Sequence, residues 1–226
     1  MPRPRFTFPS RLYAILDVGR IRLTSRDPLA VLADWLRAGV RLVQLRAKNV
    51  SDATFLDLAG QVTAMCHAVQ VPAIINDRAD IAAMASADGV HVGQEDLPAV
   101  KVRALIGDEK VLGLSTHSDA QMKEACLGPV DYVAIGPVFA TGSKLSSNPA
   151  VGIDGVERAA ILARAAGRPM KATSASESRC ASRMCPYAMR LSFSPCTTTE
   201  MPSSAARLVV ASERLPLSSP TRSPAR

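Results

Sequence analysis

Aromatic side chains are scarce in this 226-residue chain, at 4%, and histidine occurs three times. Interior filling therefore falls to Ala, Val, Leu and Ile, and a hydrophobic content of 47% supplies enough of them to exclude wholesale disorder. No unbroken apolar run approaches the roughly 20 residues of a membrane-spanning helix. The basic stretch from Met1 to Ser10 is not followed by the apolar core of a secretory leader, so the expectation is a cytoplasmic protein without a membrane partner. Residues 1–170 contain no Cys or His spacing of the kind that builds a zinc or iron–sulfur site.

A second absence divides the chain. From residue 171 to 226 there is neither glycine nor aspartate, while the same segment holds twelve serines and three of the five cysteines, Cys180, Cys185 and Cys196. Lys171 and seven arginines stand there against Glu177, Glu200 and Glu213, a balance of +5 out of the whole net charge of +7. Residues 1–170 are thus nearly neutral. So abrupt a break marks a boundary between a folded domain, 1–170, and a Ser/Arg/Pro-rich basic tail, 171–226, expected to be disordered. Such a composition is what translation in a shifted reading frame would give; a basic tail with its own partner and a divergent closure of the fold are the alternatives. Three cysteines fall short of a four-ligand zinc module. The tail's charge is dispersed, with Tyr187 and Phe193 as its aromatics, which argues against a nucleic-acid binder.

Within the first 170 residues short apolar runs alternate with helical patterns. Runs at 12–17, 40–46, 71–75, 88–92, 110–115 and 130–135 read as strands. Asp27-Pro28 opens a helix that stops at Gly39, Ser51 precedes a long apolar periodicity through Cys66, and Asp96-Leu97-Pro98 begins another helix. Further helices follow at 79–85, 119–127 and 155–166. Six strand–helix units require crossover connections and a parallel sheet, either doubly wound or closed as a (β/α)₈ barrel. The barrel accounts for one more fact. Polar residues recur where nearly every strand ends, and in a barrel those ends converge on one mouth.

Two of these exits carry carboxylates, Asn76-Asp77 and Gly93-Gln94-Glu95-Asp96. A hard divalent cation such as Mg²⁺ takes oxygen ligands and keeps waters or substrate phosphates for the rest. Asp77 and Asp96 have an equally available structural role as helix caps. Gln44, Arg46 and Lys48 alternate at another strand end; with Lys144 their cations suit a substrate of concentrated negative charge such as a diphosphate. Thr141-Gly142-Ser143-Lys144 offers hydroxyls and an ammonium but lacks the spacing of a nucleotide P-loop. His91 reads as a packed or rim histidine rather than a ligand and Cys66 as core, while for His117 contact with a ligand is the less favoured of its two readings.

Together these blocks resemble the thiamine-phosphate synthase family: Val43-Gln44-Leu45-Arg46 with Lys48; Ile74 to Arg78; Asp88 to Asp96; Gly113-Leu114-Ser115-Thr116-His117; and Gly136 to Lys144. The likeness runs over about 12–168, with all five blocks in order. It implies a (β/α)₈ barrel of the transferase class, joining a hydroxymethylpyrimidine diphosphate to a thiazole phosphate with release of pyrophosphate. It implies that Gln44, Arg46, Lys48 and Asn76 hold the pyrimidine diphosphate and that Asp77 and Asp96 ligate Mg²⁺. Ser115 and Lys144 would complete that pocket, and Thr141 with Ser143 would face the thiazole phosphate. Serine at 143, where the family more often has threonine, keeps the hydroxyl. The related thiazole tautomerase is the neighbouring alternative, against which the full diphosphate and metal set argues.

The likeness stops at the seventh strand. Family members continue with a Gly-Gly turn and an eighth strand; here Gly167-Arg168-Pro169-Met170 leads into Lys171-Ala172-Thr173-Ser174, and Leu208-Val209-Val210-Ala211 is the one later apolar run of note. The expectation is a barrel truncated after its sixth strand–helix unit, with open sheet edges that favour aggregation, and the altered end is where the activity would be impaired.

Overall fold

A strand flanked by helix signals becomes a β/α unit at each expected place in the computed structural model, which describes residues 6–139, 148–173 and 207–212. In chain order the elements are β1 (Leu12–Asp17), α1 (Val18–Arg22), α2 (Pro28–Arg37), β2 (Val43–Arg46), α3 (Asp52–His67), β3 (Ala73–Asn76), α4 (Ala79–Met84) and β4 (Gly89–Val92). They continue with α5 (Ala99–Ile106), β5 (Val111–Thr116), α6 (Asp119–Leu127), β6 (Tyr132–Ile135), α7 (Gly152–Ala165), β7 (Met170–Thr173) and β8 (Arg207–Ser212). The caps follow the sequence: Asp27 accepts from Ala30 N at 2.9 Å with Pro28 in the first turn, and Ser51 accepts from Thr54 N at 3.2 Å.

β1 to β7 pair in sequence order, every neighbour parallel. β8 then runs antiparallel between β7 and β1, pairing Ala172 with Val210 on one side and Ala14 with Leu208 on the other, and the ring closes. The expected truncation is therefore corrected. A seventh strand follows the sixth unit, and the run Leu208-Val209-Val210-Ala211 lies in the strand that covers both edges. The physical reason is that the outer backbone groups of β1 and β7 need partners, and a short apolar run with Val209 and Val210 at its centre has the propensity to supply them. The boundary read at 170 coincides with the first residue of β7, and most of the tail lies outside the described residues.

Pleating sends alternate strand residues to two different surroundings. Ala14, Leu16, Val43, Leu45, Ile75, Val90, Val92, Leu112, Val133 and Ile135 join the helix faces in the main core. Their neighbours point inward: Tyr13, Ile15, Leu42, Ile74 and Tyr132 form a second, smaller cluster, against which Phe6 and Phe8 pack from the segment ahead of β1. β4 and β5 approach so closely that a Cβ at Gly89 would lie 2.2 Å from the Val111 carbonyl oxygen, and only glycine fits there. Among the described residues no helix is long and apolar enough to cross a membrane.

At the strands' amino ends a buried ion pair ties α5 to the sheet. Arg103, buried, donates to the carbonyls of Gly107 and Lys110 at 2.7 Å, to that of Pro129 at 3.2 Å, and to the Asp131 carboxylate, which also accepts from Leu112 N at 2.7 Å. Truncating one member would strand a carboxylate and three carbonyls. Arg103→Met should lower unfolding free energy by about 3–5 kcal/mol, read by urea denaturation; a loss within ~0.5 kcal/mol would place the pair in solvent.

Candidate active site at the carboxyl rim

The inward positions just below the strands' carboxyl ends are polar, and the barrel brings them to one mouth. On β2 the inward residues are Gln44 and Arg46. Gln44 is buried and its Nε2 donates to the Tyr13 hydroxyl at 3.2 Å. Arg46 sits above it and its Nη1 donates to Asp17 at 2.7 Å. Asp17, the last residue of β1, is almost fully buried and also caps α1 by accepting from Arg20 N at 3.2 Å. A buried carboxylate paired in this way holds the guanidinium in a fixed direction.

Asp77 follows β3 with φ +64°, left-handed backbone that aspartate tolerates better than most residues. Its N–H donates to the His91 carbonyl at 2.8 Å, and the chain folds back as Arg78 N bonds Asn76 O at 2.8 Å. Lys48 Nζ stands 3.5 Å from its Oδ2. Asp96 is held from the next loop, where its Oδ2 accepts from Gly93 N at 2.6 Å. The two carboxyl groups lie close enough to act on each other electrostatically. Burial first, and then the Asp96 carboxylate beside it, push Asp77 up to about 6 against the opposing pull of Lys48.

The helix-cap role is excluded for both. Arg78 occupies the N-cap of α4 and Pro98 that of α5, neither with a side-chain cap, and α5 starts at Ala99 instead of at Asp96. Two acids that cap nothing have been brought together from two loops at an electrostatic cost. Among the described residues no group of three or more His, Cys, Asp or Glu converges in this way, and what meets here is a pair of carboxylates. Such a pair suits a hard cation that completes its shell from elsewhere, rather than zinc.

On β4 and β5, His91 and Ser115 are joined, Nε2 to Oγ at 2.8 Å, and Gln94 Nε2 donates to the Ser115 carbonyl at 2.6 Å. His91 is buried, and desolvation with the nearby Lys171 charge lowers its pKa well below 6.5, so the ring is neutral. His117 places Nδ1 on the Gly136 carbonyl and ties the β5 and β6 exits together. Asn76 closes β3 beside His91 in the register. Thr141, Ser143 and Lys144 lie outside the described residues.

Several polar interior residues were not singled out in the sequence. Asp17 and Tyr13 were visible only as polar alternates in an apolar run, the signal that a parallel strand's inward face gives. Lys171, assigned to the basic tail, is buried inside the barrel with Nζ 3.8 Å from the Tyr13 ring centroid and 5.4 Å from that of Tyr132.

The crowding of Asp77 has a measurable consequence without any metal. Its folded pKa of about 6 stands above the ordinary 3.8, so its contribution to stability is complete below the lower value and is lost as pH rises through the upper one. In metal-free protein the unfolding midpoint of the unmodified chain should rise, relative to Asp77→Asn, as pH is lowered from about 7 to about 5. Parallel pH profiles for the two proteins would show that the carboxylates do not share a site.

The chain matches the family model described as thiamine monophosphate synthase over residues 12–172. It is 41% identical over 156 residues to the thiamine-phosphate synthase of Solidesulfovibrio magneticus, across 69% of this chain and 73% of that protein. With the thiamine-phosphate synthase of a Synechococcus strain it shares 47% identity over 148 residues, 66% of this chain and 40% of that one. Its fold is similar to that of a thiamine phosphate pyrophosphorylase from Pyrococcus furiosus, with a TM-score of 0.60 at 23% identity over 70% of this chain and 71% of the other. Five motif blocks in order, a rim that gathers their residues where the structure describes them, and a match across more than half its length place this chain in the thiamine monophosphate synthase family.

Proposed function

We propose that the rim joins 4-amino-2-methyl-5-hydroxymethylpyrimidine diphosphate to 4-methyl-5-(2-phosphoethyl)thiazole, giving thiamine phosphate and pyrophosphate. The observation that carries this reading is the contact of Asp77 with Asp96 beside Lys48, two acids that cap no helix. Mg²⁺ held by these carboxylates would supply positive charge to the departing diphosphate. The donor set supports the metal: burial and, after it, the neighbouring Asp96 carboxylate raise the pKa of Asp77, and a cation held by both groups would relieve the repulsive part of that cost.

The remaining work belongs to the chain's own side chains. Arg46, oriented by Asp17 through Nη1, offers Nη2 and Nε to diphosphate oxygens, and Lys48 reaches the same ligand as a point charge. Gln44 and Asn76 complete the pyrimidine side, Ser115 adds a hydroxyl, Lys144 joins the diphosphate, and Thr141 and Ser143 take the thiazole phosphate. The bond from the pyrimidine methylene to the diphosphate breaks as negative charge grows on the leaving group, and the electron-rich aminopyrimidine carries the positive charge left behind. The thiazole nitrogen then attacks that carbon. Fixed cations aimed at the leaving group lower this barrier without a protein nucleophile.

With both substrates, pyrophosphate release should require Mg²⁺ and the thiazole phosphate. Arg46→Ala and Asp96→Asn should each lower kcat by about 10²–10³-fold. Full activity in either variant would remove the rim from the reaction. For the segment after β7 we propose a shifted reading frame. Restoring a single base in the coding DNA near codon 170 should open a glycine-rich barrel end; a frame that yields none would assign the tail to the protein itself.

A further inference from the structure

One line of hydrogen bonds crosses the barrel interior, and its middle members have no role in the reaction proposed above. Gln44 Nε2 donates to the Tyr13 hydroxyl at 3.2 Å, and the hydroxyls of Tyr13 and Tyr132 meet at 2.9 Å. Tyr132 Oη lies 2.9 Å from His91 Nδ1, and His91 Nε2 lies 2.8 Å from Ser115 Oγ. Tyr13, Gln44, His91 and Tyr132 are all buried, so each proton in the line needs an acceptor within it.

That requirement gives the line a direction. An amide nitrogen can only donate, so the Tyr13 oxygen accepts from Gln44 and its own proton goes on to Tyr132. Were Tyr132 to donate back, the buried Tyr13 proton would lose its acceptor, at about 1–3 kcal/mol. Tyr132 therefore donates to His91 Nδ1, the ring carries its proton on Nε2, and Nε2–H donates to Ser115 Oγ. At the His91 end of the line the serine proton is then left to point outward.

The backbone has been shaped around this line. Register sets His91, Gly113 and Tyr132 side by side on β4, β5 and β6. A Cβ at Gly113 would lie 2.1 Å from Tyr132 Cζ and 2.4 Å from His91 Nδ1. The missing side chain leaves the space through which the two residues reach each other across the intervening strand, their rings near parallel at an interplanar angle of 15°.

We propose that Tyr132 and His91 are positioning residues for Ser115, and that this directed line keeps the serine hydroxyl proton turned into the mouth as a donor to the anionic substrate. The proposal rests on the reading of the rim as a diphosphate site.

The first test needs no variant. In full-length protein labelled with ¹⁵N in its imidazoles, His91 should give the signature of a neutral Nε2–H tautomer, with His67→Asn and His117→Asn identifying its signals. An Nδ1–H tautomer would mean that the line runs the other way, and would overturn the proposal. Tyr132→Phe should release the tautomer to a mixture and lower kcat by roughly 10- to 100-fold, with KM for the thiazole phosphate unchanged. The double variant Tyr132→Phe/Ser115→Ala should be no slower than Ser115→Ala alone. Losses that multiply would refute positioning through Ser115. If Ser115→Ala keeps full activity while the Nε2–H tautomer is present, the substrate contact of Ser115 fails, and its donor role fails with it.

Discussion

Two carboxylates held against each other are what the site depends on. Asp77 and Asp96 arrive from successive strand exits, one through a left-handed backbone turn and the other clamped by Gly93 N, and neither satisfies a helix end. Burial and then their mutual repulsion raise the pKa of Asp77, and Lys48 opposes the shift without removing it. In the proposed reaction a divalent cation shared with a phosphorylated substrate would give that contact its use, with Arg46 and Lys48 beside it.

Beneath that contact the barrel is not the purely aliphatic plug that a composition so poor in aromatics suggests. Two of the three tyrosines, a histidine, a glutamine and a lysine fill its interior with hydrogen bonds and cation–π contacts. A polar interior costs nothing net only when every member is partnered, and here the partners lie on different strands, so the network also defines the register. Asp17 acts the same way one layer up, its carboxylate serving both the α1 amino end and Arg46.

Much of this was legible. The first six parallel strands, the Ser51 and Asp27 caps and the gathering of polar strand ends follow from local pattern, since each depends on residues near one another in the chain. Asp17, Tyr13 and Tyr132 were missed as inward residues because the only signal they give, a polar alternate in an apolar run, is one that a half-solvated strand gives as well. Lys171 was assigned to a basic tail on composition, yet it is the inward residue of β7. The closure by β8 was equally hidden: an antiparallel partner far along the chain is chosen by unpaired edges, which exist only once the other seven strands are in place.

The amino-acid sequence by itself determined the β/α alternation and the family, because hydrophobic period, capping and short motifs act over a few residues. Tertiary structure alone decided that Asp77 and Asp96 meet instead of capping helices, that His91 turns toward Ser115, and that the ring closes. Those outcomes depend on strand register and on the partners buried groups require, and both are properties of distances between residues far apart in the chain.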